Sequence, residues 1–207
     1  MIIDPAVAPR SEVYPLMIRC IAPRPIAWVS TRSRAGELNL APYSFFNGVS
    51  SKPPAILFVC SRQEDGSKKD TLINVEETGQ FVVNLVPESL AEQMNITATE
   101  YPHGVSEFEK AGLTPIASDR VTPPRLKESP VSFECERYEL MQVGADEVGS
   151  GTIIVGRIVM IHVDDAILKD GKVDYDLFHP IGRMGGMEYS RTRDRFTMVR
   201  KKYTPES

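Results

Sequence analysis

Between residues 67 and 74 the chain reads Ser-Lys-Lys-Asp-Thr-Leu-Ile-Asn, two lysines ahead of a segment expected to be helical. The first turn of a helix presents unpaired N–H groups and the positive end of its macrodipole, and that end attracts phosphate. Lys69 adds a charge there and Thr71 a hydroxyl. Asp70 competes, because a carboxylate at an N-cap occupies one or two of those donors and repels an anion. Giving Asp70 the cap and the anion to Lys69 and Thr71 reconciles the two. The plain alternative is a basic turn left in solvent.

Three other polar groups stand on or beside apolar runs. In Asn39–Asn47 (NLAPYSFFN) the pair Phe45-Phe46 lies between Ser44 and Asn47. Alternation along a strand puts Ser44 and Phe46 on one face and Phe45 and Asn47 on the other. Only one of the two rings can then face any one partner. In PRPIAWVST (23–31) Trp28 reads as core, and Ser30 and Thr31 end the run. In PIGRMGGMEYS (180–190) Gly185-Gly186 allow backbone conformations closed to other residues, which sets Arg183 and Tyr189 on either side of a tight turn.

Other chemistries lack their patterns. GSGTIIVG (149–156) has no third glycine in register and no helix after it, so the dinucleotide fingerprint fails. There is no Walker A sequence, no HExxH and no signature of a Cys-His nucleophile. Asp164-Asp165 reads as a solvated turn, and no metal site is expected. His162 ends a strand, where a histidine is either packed and satisfied or functional.

These residues must be positioned by short, punctuated elements. PIAWVS (25–30), AILFVC (55–60), QFVVNLV (80–86), VSFECERYELMQV (131–143) and GTIIVGRIVMIHV (151–163) read as strands. Gly156, in mid-run, predicts a bulge or bend. Asp70 to Gly79, a segment opened by Pro87, and SEFEKAG (106–112) read as short helices. The proline-rich stretch 114–130 reads as a long ordered loop, since Val121 and Leu126 require burial. The 207 residues, sixteen prolines and fourteen glycines predict one mainly β domain over 1–207, closed or nearly closed into a barrel. A net charge of −4 argues against nucleic acid. No stretch approaches the roughly 18 apolar residues of a membrane span, and MIIDPAVAPR has no leader pattern. Three cysteines without a CxxC predict a reduced, cytoplasmic protein without disulfides or zinc, in which the Asn95-Ile96-Thr97 sequon has no meaning.

Taken in order, PRPIAWVST, NLAPYSFFNGVSSKPP, KKDTLIN, QFVVN, HGVSEFEKAGLT, PPRLKESPVSFEC, VGRIVMIHV and PIGRMGGMEYS resemble the flavin reductase-like family, the FMN-binding split barrels. The set covers nearly the whole chain. The resemblance implies an antiparallel, Greek-key split β-barrel with short peripheral helices, bound FMN and a homodimer with flavin sites near the subunit interface. It implies that Ser44, Phe45 or Phe46, and Asn47 lie along the flavin, with Trp28 at the cofactor, Ser30 and Thr31 near the ribityl phosphate, and Lys69, Asp70 and Thr71 on the phosphate itself. It implies too that Arg183 and Tyr189 approach the ring from the same or the partner subunit, and it puts His162 close to the site. Hydride would pass from NADPH or NADH to the flavin and electrons on to a small molecule or a protein. Hydride transfer needs no general acid or base, so no catalytic side chain is expected. The alternatives are an electron-transfer flavoprotein of flavoredoxin type, reduced by a protein, and a flavin-binding module without turnover.

Overall fold

The structure, a computed structural model, describes residues 1–203. In chain order its elements begin with α1 (Arg10–Cys20), β1 (Ala27–Arg32), β2 (Leu38–Tyr43), β3 (Phe46–Ser51) and β4 (Pro54–Ser61). Then come α2 (Asp70–Thr78), β5 (Gln80–Leu85), a 3-10 turn at Glu88–Leu90, α3 (Ala91–Ile96) and α4 (Glu107–Lys110). After the two-residue strands β6 (Pro115–Ile116) and β7 (Arg125–Leu126) come the long β8 (Val131–Val143) and β9 (Gly151–Val163). The chain closes with β10 (Leu168–Lys169), β11 (Lys172–Val173), α5 (Tyr175–Phe178), β12 (Ile181–Arg183) and β13 (Tyr189–Arg191).

One antiparallel sheet holds seven strands in the order β2-β1-β5-β8-β9-β4-β3. Its two edges, β2 and β3, are consecutive in the chain and joined only by Ser44 and Phe45. Laid flat, such a sheet would separate its edges by about 29 Å, at roughly 4.8 Å per strand. Two linking residues reach only about 10 Å. The sheet must therefore roll up until its edges meet. They meet without pairing: Phe45 gives its carbonyl to the Val59 N–H at 2.9 Å, while β2 and β3 share no ladder. The result is a mainly β barrel split along one seam, as expected from the sequence.

Two bulges curve the long hairpin. The β8–β9 register leaves Val159 and Tyr138 unpaired, the second opposite the step from Gly156 to Val155. Gly156 is also where the barrel lining comes closest, since a Cβ there would stand 2.3 Å from Phe81 Cζ. Gly156→Val is therefore expected to destabilise the fold by about 1–3 kcal/mol through overpacking. Urea denaturation checks this, and an unchanged midpoint would show that the Phe81 ring has room to move.

Strand β1 is buried on both faces. Ala27 and Val29 point into the barrel with Phe58, Phe81 and Ile154, where Phe58 and Phe81 pack edge to face at 5.3 Å. Ile26 and Trp28 point outward into a second cluster with Leu40, Met94, Phe108 and Leu126, beneath α3 and α4. The sequence gives little sign of α1, which contains Pro15 and buries none of its residues. Asp164 caps a 3-10 turn by accepting the Ala166 N–H, the solvated turn expected there. Cys20, Cys60 and Cys135 are free. No helix among the described residues is long and apolar enough to cross a membrane.

Candidate functional site

The seam is also a trough. Three adjoining cavities of about 90, 180 and 280 Å³ share Pro42 and Tyr43 as a common wall. The first reaches Lys69, Asp70 and Thr71 at the start of α2, and the second adds Ser44, Phe45 and Val59. The third ends at Arg24, Arg183 and Tyr189, with Tyr14 and Ile18 of α1 beside it. The bend at Ser44-Phe45 makes this run possible, because the chain leaves one sheet edge there and enters the other.

At the α2 end, the expected cap is corrected. Lys69, not Asp70, holds the N-cap position, and no side chain caps the helix. Asp70 is the first helical residue, and its carboxylate meets His103 Nδ1 at 2.6 Å. That pairing raises the His103 pKa, through the hydrogen bond first and the charge of Asp70 second. The first-turn amides thus keep their donors free of any carboxylate. Lys69 Nζ meets Glu100 Oε1 at 2.9 Å, so the lysine already holds an oxyanion here. Thr71 is buried, its Oγ1 2.8 Å from the Asn39 amide, and Glu107 lies beyond. Burial pushes the Glu107 carboxyl up to about 7, which reduces the negative charge in this cavity near neutrality. A lysine, uncapped amides and a histidine partner on the nearest acid suit a phosphate.

At the other end the sequence expectation for Arg183 and Tyr189 holds in its geometry. They face each other across the β12–β13 pair, turned by Gly186 at φ 62°. Arg183 Cζ stands 4.5 Å from the Tyr189 ring centroid. Arg24, which the sequence did not single out, organises this end. Its guanidinium donates to the carbonyls of Ile18 and Ile21 at the end of α1, to Met184 O at 2.9 Å and to Ser44 Oγ at 3.3 Å. It also lies 5.8 Å from the Phe45 ring centroid.

Five expected site residues lie elsewhere. Trp28 is 0% exposed in the outer cluster, and its Nε1 donates to Thr97 Oγ1 at 2.8 Å. Ser30 Oγ donates to Pro124 O, and Asn84 bonds Ser30, Trp28 O, the Leu126 amide and Ser132. These groups staple the 114–130 loop to the barrel's outer face. Thr31 is buried and accepts from Asn74 Nδ2 at 3.0 Å, which ties β1 to α2. Phe46 starts β3 and lines a separate apolar groove with Ile26 and Phe133. Asn47 is exposed and its Oδ1 accepts the Gly48 N–H. His162 belongs to the loop staple too: its Nε2 lies 2.6 Å from Glu134 Oε1, and Glu134 accepts the Asp119 and Arg120 amides. The carboxylate is held low by those partners against the upward push of its burial. Asp119, Glu134 and His162 come within metal-ligand distance of one another. The two backbone amides already occupy the carboxylate that would be the central ligand.

The fold and trough define a class. A family model described as a flavin reductase like domain matches residues 18–182, and the chain belongs to that family. An uncharacterised protein of Aquifex aeolicus is 47% identical over 178 residues, which is 86% of this chain and 88% of the relative. Nitrilotriacetate monooxygenase component B from Bacillus cereus superposes with a TM-score of 0.90 at 34% identity, covering 96% of this chain and 98% of that one. The Pseudomonas fluorescens 2-nitrobenzoate 2-nitroreductase superposes with a TM-score of 0.86 at 31% identity, covering 100% and 99%.

Proposed function

We propose that the trough binds FMN and that the protein is an NAD(P)H-dependent flavin oxidoreductase. The observation that carries this is the uncapped start of α2 beside Lys69, at one end of a trough whose other end is closed by Arg183 and Tyr189. Bound FMN supplies hydride and electron transfer at its ring. Lys69 and the α2 amides would hold the phosphate, replacing Glu100 on the lysine. Pro42, Tyr43 and Phe45 would lie along the ring, and Arg183 would favour negative charge on it. Tyr14 and Ile18 of α1 exclude water from one side. No side chain is required to move a proton in the hydride step.

The electron acceptor is a small molecule or a partner protein. Both relatives support that range: by name one is a monooxygenase component and the other a nitroreductase. In the same reading the chain works as a single domain, in the cytoplasm and as a homodimer. Large apolar side chains left open on β3, β8 and β9, among them Val49, Tyr138, Met141 and Ile161, support the dimer.

The purified protein is expected to carry yellow pigment that releases as FMN on denaturation. Under anaerobic conditions NADPH or NADH should bleach it rapidly near about 450 nm. Slow bleaching by both nucleotides, with fast reduction by a ferredoxin-like protein, would favour the electron-transfer alternative. A colourless protein that ignores added FMN would sink the reading.

A further inference from the structure

The cavity beside α2 holds more acid than a phosphate site needs. Glu107 is only 7% exposed, and its Oε2 accepts the Leu40 N–H at 2.9 Å. Its Oε1 lies 3.3 Å from one end of the Asn39 amide, whose other end lies 2.8 Å from Thr71 Oγ1. Asn39 thus connects a carboxyl to a hydroxyl, and both line the cavity that Lys69 enters.

The amide can sit two ways, and the carboxyl decides which. An ionised Glu107 offers only acceptors, so Asn39 must turn its NH₂ to Glu107 and its oxygen to Thr71. The Thr71 hydroxyl then donates to Asn39, and its proton is taken. A protonated Glu107 donates to the Asn39 oxygen instead. The NH₂ then donates to Thr71 Oγ1, and the hydroxyl proton is freed from Asn39, with the Tyr43 hydroxyl as a further partner until a phosphate arrives.

We propose that Glu107, Asn39 and Thr71 form a relay through which a phosphate ligand of this cavity binds together with a proton. The proton comes from solvent and rests on Glu107, and the Thr71 hydroxyl turns from Asn39 to the phosphate. The proposal rests on the FMN reading of the trough. Burial, and further the Asp70 charge, push Glu107 up to about 7, so the relay changes state in the neutral range. Other charged groups face the same space. Lys69 and Asp70 lie on α2, Glu100 and His103 come from the loop ahead of α4, and Glu37 adds to the field at His103. Tyr43 on β2 is held well above its usual range by burial and stays neutral. His103 is the rival, because its deprotonation also leaves Asp70 facing a phosphate unneutralised.

The test compares dissociation constants of FMN and riboflavin from about pH 6 to about pH 8.5, in the parent, Glu107→Gln and His103→Gln. Their ratio isolates the phosphate. The parent is expected to lose about tenfold of its preference for FMN as pH rises, the worth of one hydrogen bond to a charged group. The phosphate's own second ionisation near about pH 6 acts in the opposite direction. Glu107→Gln donates to Asn39 as the protonated acid does and should keep its preference throughout, while His103→Gln should follow the parent. Should Glu107→Gln not fold, Thr71→Ser should keep the pH dependence and Thr71→Val abolish it. A flat or rising preference in the parent overturns the relay, as does an unchanged fall in Glu107→Gln or a flattening by His103→Gln. Riboflavin bound with a pH-independent FMN preference would overturn the relay alone. Failure to bind either flavin would overturn the trough reading, and the relay with it.

Discussion

Lys69→Ala is expected to weaken FMN about ten- to a hundredfold while leaving riboflavin within about twofold of the parent. One charge-assisted hydrogen bond to a phosphate is worth about 1.5–3 kcal/mol, or roughly one to two decades in dissociation constant. Riboflavin has no phosphate to lose. The substitution also breaks the pair with Glu100, but both side chains are partly in solvent, 30% and 43% exposed. Pairs of that kind contribute little to stability, so the unfolding midpoint should barely move. Titration of each flavin by fluorescence quenching reads the difference directly. Equal weakening of the two, or of neither, would place the phosphate away from Lys69.

Arg24→Ala should do the reverse, weakening FMN and riboflavin alike. The buried guanidinium holds two carbonyls at the end of α1, Met184 O beside β12 and the Ser44 hydroxyl at the bend. A positive charge at the C-terminal end of a helix is favourable, and α1 buries no side chain that could hold it otherwise. Losing several charged hydrogen bonds at once is expected to cost about 2–4 kcal/mol of stability. Limited proteolysis should then cut within residues 1–23 well before the barrel, with flavin retention falling about tenfold or more. A variant that resists protease and binds both flavins as the parent does would remove Arg24 from the site's architecture.

The sequence exposed much of the barrel for a local reason. Along 131–136 apolar and polar residues alternate, one face toward the interior and the other toward solvent or the loop, while 151–163 declares itself as a punctuated apolar run rich in β-branched residues. The helix start at Lys69–Thr71 and the glycine turn between Arg183 and Tyr189 were legible on similar grounds. In each, the feature that matters lies within one turn of chain. The ordered motifs along nearly the whole chain carried the family. Helix α1 was not legible, because a helix held by Arg24 rather than by an apolar stripe leaves no periodic trace.

The residues that lie outside the trough share a different cause. Ser30 and Thr31 look alike from the sequence, two small hydroxyls ending an apolar strand. Ser30 is covered by a loop whose contact, Pro124, lies 94 residues on, and Thr31 faces the barrel end plugged by α2. Trp28 was ambiguous because β1 has no solvent face, and only the arrival of α3 and α4 decides which side is outer core. The choice between Phe45 and Phe46 rested on alternation through an unbroken strand. The chain bends there, so Phe45 lines the trough and Phe46 begins the opposite edge. The sequence by itself therefore determined the strands, the lysine-flanked helix start and the family, since each depends on neighbours along the chain. Which polar groups line the trough, and which staple loops, was decided only in the folded barrel. Rolling the sheet until two residues could bridge its edges sets what lies above every side chain.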